Sequence, residues 1–304
     1  GEAGLGKSGL RDELLLRLAG TAPECLVASA WPQTASQPFG LLRDLLWRHF
    51  RLDRCAQPGE ALVQALHPVV SAADATVLAC ALGLVGTDHP QLQPHPPDRS
   101  ALRQRSFDVA TRWLRSLAAR ADGQPLRLVL DDLHWADDAT LDLLDLWCSG
   151  HTDLPLCLVG FSRPAAVAQR ATWTTQRVLQ PLDAQASGQL VDRLLQRLEP
   201  APPALRDALI ERADGHPYYL EELLNMLIDQ GVIDAHGPQW RLRSGLERLS
   251  SLPVTLSGVL QARLASLADA SRRVLQQAAV IGPLFEQQVL AALDPAAAMA
   301  LPAL

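Results

Sequence analysis

Two hydrophobic patterns alternate along the first part of the chain. Short, mostly apolar segments lie at 25–30, 126–131 and 155–161, and a more mixed one lies at 177–182; each has the length of a strand buried on both faces. Between them, apolar residues recur at a spacing of three and four, which is typical of helices. These helices are predicted over 9–19, 41–50, 61–66, 73–82, 107–117 and 137–148. Strands that alternate with helices in this way predict an α/β fold, with a parallel sheet covered by helices on both faces.

The pattern changes to helices from about residue 183. Residues 232–242 contain two short apolar segments around a turn, which predicts a hairpin. Helices are predicted on either side of it, over 190–198, 205–213, 218–230, 256–267, 271–280 and 285–293. The predicted domains are therefore an α/β domain over 1–182, a helical lid over 183–231, and a hairpin with further helices over 232–304.

Composition narrows the class of protein. The 304 residues are 48% hydrophobic and 20% charged, which is typical of a globular chain. A net charge of −6 argues against a general nucleic-acid-binding surface. The five cysteines are scattered without a C-x-x-C pair, so we expect reduced thiols in a cytoplasmic protein. No apolar run is long enough for a transmembrane helix and no signal peptide is present, so no membrane association is expected.

The strongest motif is a phosphate-binding loop at the start of the chain. Its pattern G-x-x-x-x-G-K-[ST] is matched by Gly1, Glu2, Ala3, Gly4, Leu5, Gly6, Lys7 and Ser8. The glycines permit backbone angles that let consecutive N–H groups point at phosphate oxygens, and the following helix adds its positive end. Lys7 is predicted to reach the β- and γ-phosphates, and the Ser8 hydroxyl to ligate Mg²⁺. The alternative is a glycine-rich turn before an ordinary helix.

A second motif follows the apolar run at 126–131. This strand ends in two carboxylates, Asp131 and Asp132, at the edge where open α/β sheets bind ligands. Phosphoryl transfer needs a carboxylate near Mg²⁺ and a group that orients the attacking water. Asp131 suits the first role and Asp132 the second. A solvated acidic turn is the alternative, but both motifs in this order predict nucleotide binding.

These residues resemble a known family. Gly1–Ser8, together with the string Leu-Val-Leu-Asp-Asp-Leu-His-Trp-Ala-Asp at 128–137, is similar to the ATPase module of STAND-class, AAA-related signal-transduction proteins. The variant resembled is bacterial and occurs in large LuxR-type regulators, in cyclase-linked proteins and in some kinase-linked regulators. The resemblance covers essentially the whole chain, and Asp-Asp-Leu-His-Trp-Ala-Asp is its most specific part.

The resemblance suggests further site residues. Arg163, just past a strand, is similar to the family's sensor arginine that contacts the γ-phosphate; a solvated loop arginine is the alternative. Gly215, His216 and Pro217 match an element that approaches the nucleotide base, although a helix cap and turn would explain them equally well. The three helices after residue 255 resemble the start of a winged-helix domain.

The function expected from these motifs is an ATP-binding, slowly hydrolysing switch in a larger regulator. ATP and Mg²⁺ would hold the α/β domain and the lid together, and output and sensor domains would lie outside this chain. A homo-oligomer is compatible with this function, whereas direct contact with DNA is not expected. The alternatives are an origin-recognition-like AAA protein and a nucleotide-binding scaffold without hydrolysis. Clustered basic residues on one helix of 255–293 would favour the first alternative. Only three arginines lie there, namely Arg263, Arg272 and Arg273.

The chain begins inside a motif that normally follows a strand, and we therefore expect it to be a fragment. In the usual order, the upstream strand would lie between the strands at 155–161 and 177–182. Residues 1–304 alone are accordingly expected to be poorly soluble or partly unfolded.

Overall fold

The fold was analysed in a computed structural model that describes nine stretches of the chain. They are residues 1–21, 25–92, 98–150, 153–164, 173, 175–198, 200–243, 253–282 and 287–295. Two compact units share these residues. The first contains Gly1–Ala3 and Lys7–Leu179, and the second contains Gly4–Gly6 and Gln180–Leu304.

The first unit is built on a parallel sheet of three strands in the order β1-β2-β3. The strands are β1 (Cys25–Ser29), β2 (Leu126–Asp131) and β3 (Leu156–Gly160). The helices are α1 (Lys7–Leu18), α2 (Gly40–His49), α3 (Pro58–Leu66), α4 (Ala72–Ala81), α5 (Arg99–Ala118) and α6 (Asp138–Cys148). The predicted α/β class, these strands and these helices are confirmed, although α5 begins well before the predicted residue 107.

The two faces of the sheet are covered to different degrees by the described residues. On one face, Leu26, Leu128 and Leu130 are buried and belong to one apolar cluster with α2 and α6. On the other face, Val27 is half-buried and Cys157 is exposed. Helix α1 contributes no buried residue, so its apolar side chains do not complete the second face. Within the described part of the chain, the second face is thus covered less completely than the first, although Val129 in its centre is buried.

The predicted strand at 177–182 is wrong. These residues have no regular secondary structure, and Val178 is 59% exposed, whereas a central parallel strand would be buried. A strand forms only where a neighbour completes its hydrogen bonds, and none pairs with this segment within the described residues. Instead, the Leu182 N–H donates to the Gly215 carbonyl at 2.7 Å. The segment has the length of a strand, but no strand of the described residues pairs with it.

Asp137 links the start of α6 to the start of α2. Its carboxylate caps α6 by accepting from the Thr140 N–H at 2.9 Å and the Thr140 hydroxyl at 2.6 Å. It also accepts from the N–H groups of Phe39 at 2.8 Å and Gly40 at 2.9 Å. Phe39 has a φ of +63°, which is strained for a bulky residue, so this anchor holds a costly backbone conformation. The predicted helix cap at 137 or 138 is confirmed at Asp137.

We expect Asp137→Ala to lower the free energy of unfolding by about 3–5 kcal/mol. The substitution removes a helix cap and leaves the buried N–H groups of Phe39, Gly40 and Thr140 without their acceptor. Chemical denaturation, followed by circular dichroism, measures this loss. Asp98→Ala is the matched control, because Asp98 caps α5 through one exposed bond to the Ala101 N–H at 2.7 Å. That control should lose about 1 kcal/mol. Equal losses in the two variants would contradict the anchoring role of Asp137.

The second unit is helical with a short antiparallel hairpin. Its elements are α7 (Ala184–Leu194), α8 (Pro203–Ala213), α9 (Pro217–Asp229), β4 (Ile233–Asp234), β5 (Arg241–Leu242), α10 (Leu256–Ser266), α11 (Asp269–Ile281) and α12 (Gln287–Leu293). The predicted hairpin is confirmed. The helix predicted over 190–198 is misplaced, because Asp183 caps α7 by accepting from the Ala186 N–H. The first residues of the helix predicted over 285–293 lie outside the described residues.

The described residues contain neither a membrane-spanning helix nor a cluster of metal ligands. No helix there is long and apolar enough to cross a membrane. No cluster of three or more histidine, cysteine or acidic residues there is arranged to hold a metal ion. The five cysteines are all free thiols.

Candidate functional site

The two predicted carboxylates lie at the carboxyl edge of the sheet. Asp131 is the last residue of β2, and its side chain is 5% exposed. Asp132 follows in the left-handed region at φ +53°, and its N–H donates to Asp131 Oδ1 at 2.9 Å. The Leu133 N–H then donates to the carbonyl of Phe161 just after β3, at 2.9 Å. The backbone that carries both carboxylates is therefore fixed, at the edge where open α/β sheets bind ligands.

The predicted phosphate loop has the backbone that its glycines permit. Gly4 and Gly6 have φ values of +81° and +85°, which disfavour any residue with a Cβ. Helix α1 begins directly afterwards, at Lys7. The Lys7 ammonium donates to the carbonyls of Gly1 at 2.9 Å and Glu2 at 2.7 Å, so it folds back over the loop. A cation that donates there to neutral carbonyls is available to a charged acceptor such as a phosphate, which forms stronger hydrogen bonds.

An ion pair joins the first turns of α1 to the sheet edge. The guanidinium of Arg11 donates to Asp131 Oδ2, and it also contacts Asp12. Burial acts to lower the pKa of Arg11, but the hydrogen bonds to Asp12 and Asp131 outweigh it and raise that pKa. Carboxylate and hydroxyl oxygens are the ligands that Mg²⁺ prefers, so Asp131 and Ser8 fit the predicted metal site. One oxygen of that carboxylate is, however, engaged by Arg11.

His134 lies within electrostatic reach of four predicted site residues. Burial lowers the pKa of its imidazole, and the charges of Arg163 and Lys7 act in the same direction. The carboxylates of Asp132 and Asp131 act in the opposite direction. Arg163 itself is exposed, three residues after the end of β3. Of these four residues, Asp132 lies close to His134, with Oδ1 3.7 Å from Nδ1.

The predicted base-contacting element lies within the second unit. Asp214 ends α8 in the left-handed region at φ +44°, and Pro217 is the first residue of α9. The His216 N–H donates to the Ala213 carbonyl at 2.9 Å, which closes the turn. This geometry fully supports a helix cap and turn. Within the same unit, the Tyr218 N–H donates to the Gly4 carbonyl at 3.2 Å.

Sequence reasoning missed two polar residues of this site. Arg11 stands four residues after Lys7 on α1, so helical spacing places both on one side of the helix. That spacing was a usable signal. His134 lies in a short 3-10 turn, Leu133–Trp135, where no periodicity distinguishes an inward from an outward side chain.

The chain is similar to a known protein family and to a bacterial relative. A family model described as "AAA ATPase domain" matches residues 1–159. An uncharacterized protein of Rhizobium meliloti (strain 1021) is 26% identical over 301 residues, which cover 97% of this chain. This chain spans 28% of the length of that relative. No solved structure matches.

Proposed function

This chain belongs to the family of AAA ATPase domains, and we propose that it binds and slowly hydrolyses ATP as the switch module of a larger regulatory protein. The observation that carries the proposal is geometric: the left-handed glycines of the loop lead directly into α1, and Arg11 of that helix pairs with Asp131 at the carboxyl end of β2. A cation for phosphates, a carboxylate for a metal ion and a second carboxylate for water are the parts that phosphoryl transfer needs.

Each part has a proposed role. The backbone of Gly1–Ser8 holds the phosphates, with Lys7 at the β- and γ-phosphates. Ser8 and Asp131 ligate Mg²⁺, which neutralises charge on the phosphates when bound. Asp132 orients the attacking water and accepts its proton, and Arg163 contacts the γ-phosphate.

The regulatory part of the proposal rests on the length of the relative and on the string at 128–137. The relative in Rhizobium meliloti is more than three times as long as this chain, so most of it lies outside the similar region. The string at 128–137 resembles STAND-class modules of LuxR-type and cyclase-linked regulators. We propose that sensor and output functions belong to such additional regions. Gly215–Pro217 are proposed to contact the nucleotide base, because their turn borders Gly4.

Thermal melting of the complete protein tests nucleotide binding directly. ATP with Mg²⁺ at a hundred times its Kd should add about 2.7 kcal/mol of stability. The shift in melting temperature should fall sharply when Mg²⁺ is chelated. The same measurement with GTP in place of ATP shows which base the site prefers. Identical melting curves with and without ATP and Mg²⁺ would contradict the proposal.

The Arg11–Asp131 ion pair makes a separate prediction about Mg²⁺. Arg11→Ala should lower the melting temperature of the nucleotide-free protein, because it leaves the buried Asp131 carboxylate without its guanidinium. It should also lower the Mg²⁺ concentration for half-maximal ATP binding by about tenfold, or roughly 1.4 kcal/mol, since a competing cation is gone. A calorimetric Mg²⁺ titration at fixed ATP measures the second effect.

Arg17→Ala is the matched control for this test. Arg17 lies on the same helix and pairs with Glu13 at 2.7 Å, but that pair is exposed and contributes little to stability. An unchanged Mg²⁺ dependence in Arg11→Ala would show that Arg11 does not compete with the metal ion.

A further inference from the structure

His134 is a largely buried side chain whose two ring nitrogens lack hydrogen bonds to the described part of the fold. Its side chain is 9% exposed, and neither ring nitrogen has a hydrogen-bond partner within the described residues. Leaving a buried donor or acceptor unsatisfied costs about 1–3 kcal/mol, and most such groups in native proteins have partners. We therefore expect a ring nitrogen of His134 to form a hydrogen bond when nucleotide is bound.

The nearest polar partner is the carboxylate of Asp132. His134 Nδ1 lies 3.7 Å from Asp132 Oδ1, which is longer than a hydrogen bond. Closing this gap needs a movement of about 0.8 Å, because such bonds are about 2.9 Å long. The Asp132 side chain is 46% exposed and so has room to turn, whereas its backbone N–H is held by Asp131.

The imidazole itself is held in place. The 3-10 turn is closed by the Trp135 N–H donating to the Asp132 carbonyl at 2.8 Å. The ring of His134 also lies against that of Trp135, with the centroids 5.0 Å apart. A fixed imidazole beside a partly exposed carboxylate can orient it, as the third member of a nucleophile–base arrangement orients the base.

We propose that Nδ1–H of His134 donates a hydrogen bond to Asp132 when nucleotide is bound, and that this bond aims the carboxylate at the attacking water. This inference rests on the proposed ATP hydrolysis. During the reaction, the water oxygen bonds to the γ-phosphorus as the bond from that phosphorus to the ADP oxygen breaks. The proton of the water passes to Asp132, and His134 keeps its own proton. His134 is thus a positioning residue.

Substitutions that separate the two ring nitrogens test the inference in the complete protein. The amide nitrogen of His134→Asn lies near the position of Nδ1, whereas that of His134→Gln lies near Nε2. His134→Asn should keep hydrolysis near the wild-type rate. His134→Gln and His134→Phe should lose about a hundredfold in kcat, as expected for a base displaced by about 1 Å. All three should bind ATP with the wild-type Kd, since no phosphate contact is removed.

A double-mutant cycle with Asp132→Asn adds a second readout. His134→Phe should cost almost nothing in kcat when Asp132 is already asparagine, because residues that act as a unit are not additive. A full additional loss in that background, or wild-type kcat in both His134→Gln and His134→Phe, would overturn the inference. Loss of ATP binding in His134→Asn would also overturn it, since a purely structural role predicts that result. If the wild-type protein binds but does not hydrolyse ATP, the proposed function fails first, and the inference with it.

Discussion

Replacing Lys7 by alanine is expected to abolish high-affinity ATP binding. Lys7 is the cation of the phosphate loop, and among the described residues its ammonium donates to the neutral carbonyls of Gly1 and Glu2. Each charge-assisted hydrogen bond to a phosphate contributes about 1.5–3 kcal/mol, so losing two of them weakens binding by about a thousandfold. Isothermal titration calorimetry on the complete protein, with Mg²⁺ present, measures the change.

The stability of the variant is the necessary control. The two bonds of Lys7 go to exposed or half-buried carbonyls of the loop, so Lys7→Ala should melt close to the wild type without nucleotide. Arg17→Ala removes a cation from the exposed side of the same helix and should bind ATP normally. Equal ATP affinity in Lys7→Ala and the wild type would refute the assignment of Gly1–Ser8 as the phosphate site.

Exchanging the two carboxylates for amides should separate chemistry from binding. Asp132→Asn should keep the ATP affinity but lower kcat by about a hundred- to ten-thousandfold, because an amide cannot accept the proton of the attacking water. Asp131→Asn should instead weaken ATP binding in the presence of Mg²⁺, since the metal ion loses a charged ligand. Steady-state phosphate release, combined with calorimetry, distinguishes the two outcomes.

Asp122→Asn is a suitable control for Asp132→Asn. Asp122 is also exposed and also has a left-handed backbone, at φ +47°, but it precedes β2 instead of following it. Its substitution should change neither kcat nor Kd. If Asp132→Asn hydrolysed ATP at the wild-type rate, the water-orienting role would belong to another residue.

Most elements of the fold could be predicted because their physics is local. The apolar runs that became β1, β2 and β3, and the helical spacing in α2 to α6, depend on residues close together in the chain. The strand expected at 177–182 failed because strand formation depends on a neighbour, which a run of apolar residues does not specify. The start of α7 differs from the prediction because the cap at Asp183 sets it, several residues before the apolar spacing that begins at Leu190.

The candidate site shows the same division. The phosphate loop and the two carboxylates are contiguous motifs, so their residue types and order were enough to propose them. Asp137 ends the most specific string of the chain, yet in the structure it anchors Phe39 and Gly40, nearly a hundred residues away. The pairing of Arg11 with Asp131 and the burial of His134 likewise arise only when distant segments meet. Helical spacing places Arg11 on the same side of α1 as Lys7, but the local sequence identifies neither its partner Asp131 nor the burial of His134.

The central claim is that this module hydrolyses ATP slowly and is controlled by the nucleotide that it holds. The most direct test is a single-turnover experiment, in which excess complete protein is mixed with γ-labelled ATP and Mg²⁺ and the bound nucleotide is identified over time. We expect full conversion to ADP with a rate constant below about 1 s⁻¹, as in other switch NTPases without an accessory arginine, and no conversion in Asp132→Asn. Recovery of intact ATP from the wild-type protein after many hours would contradict the claim and identify a nucleotide-binding scaffold instead.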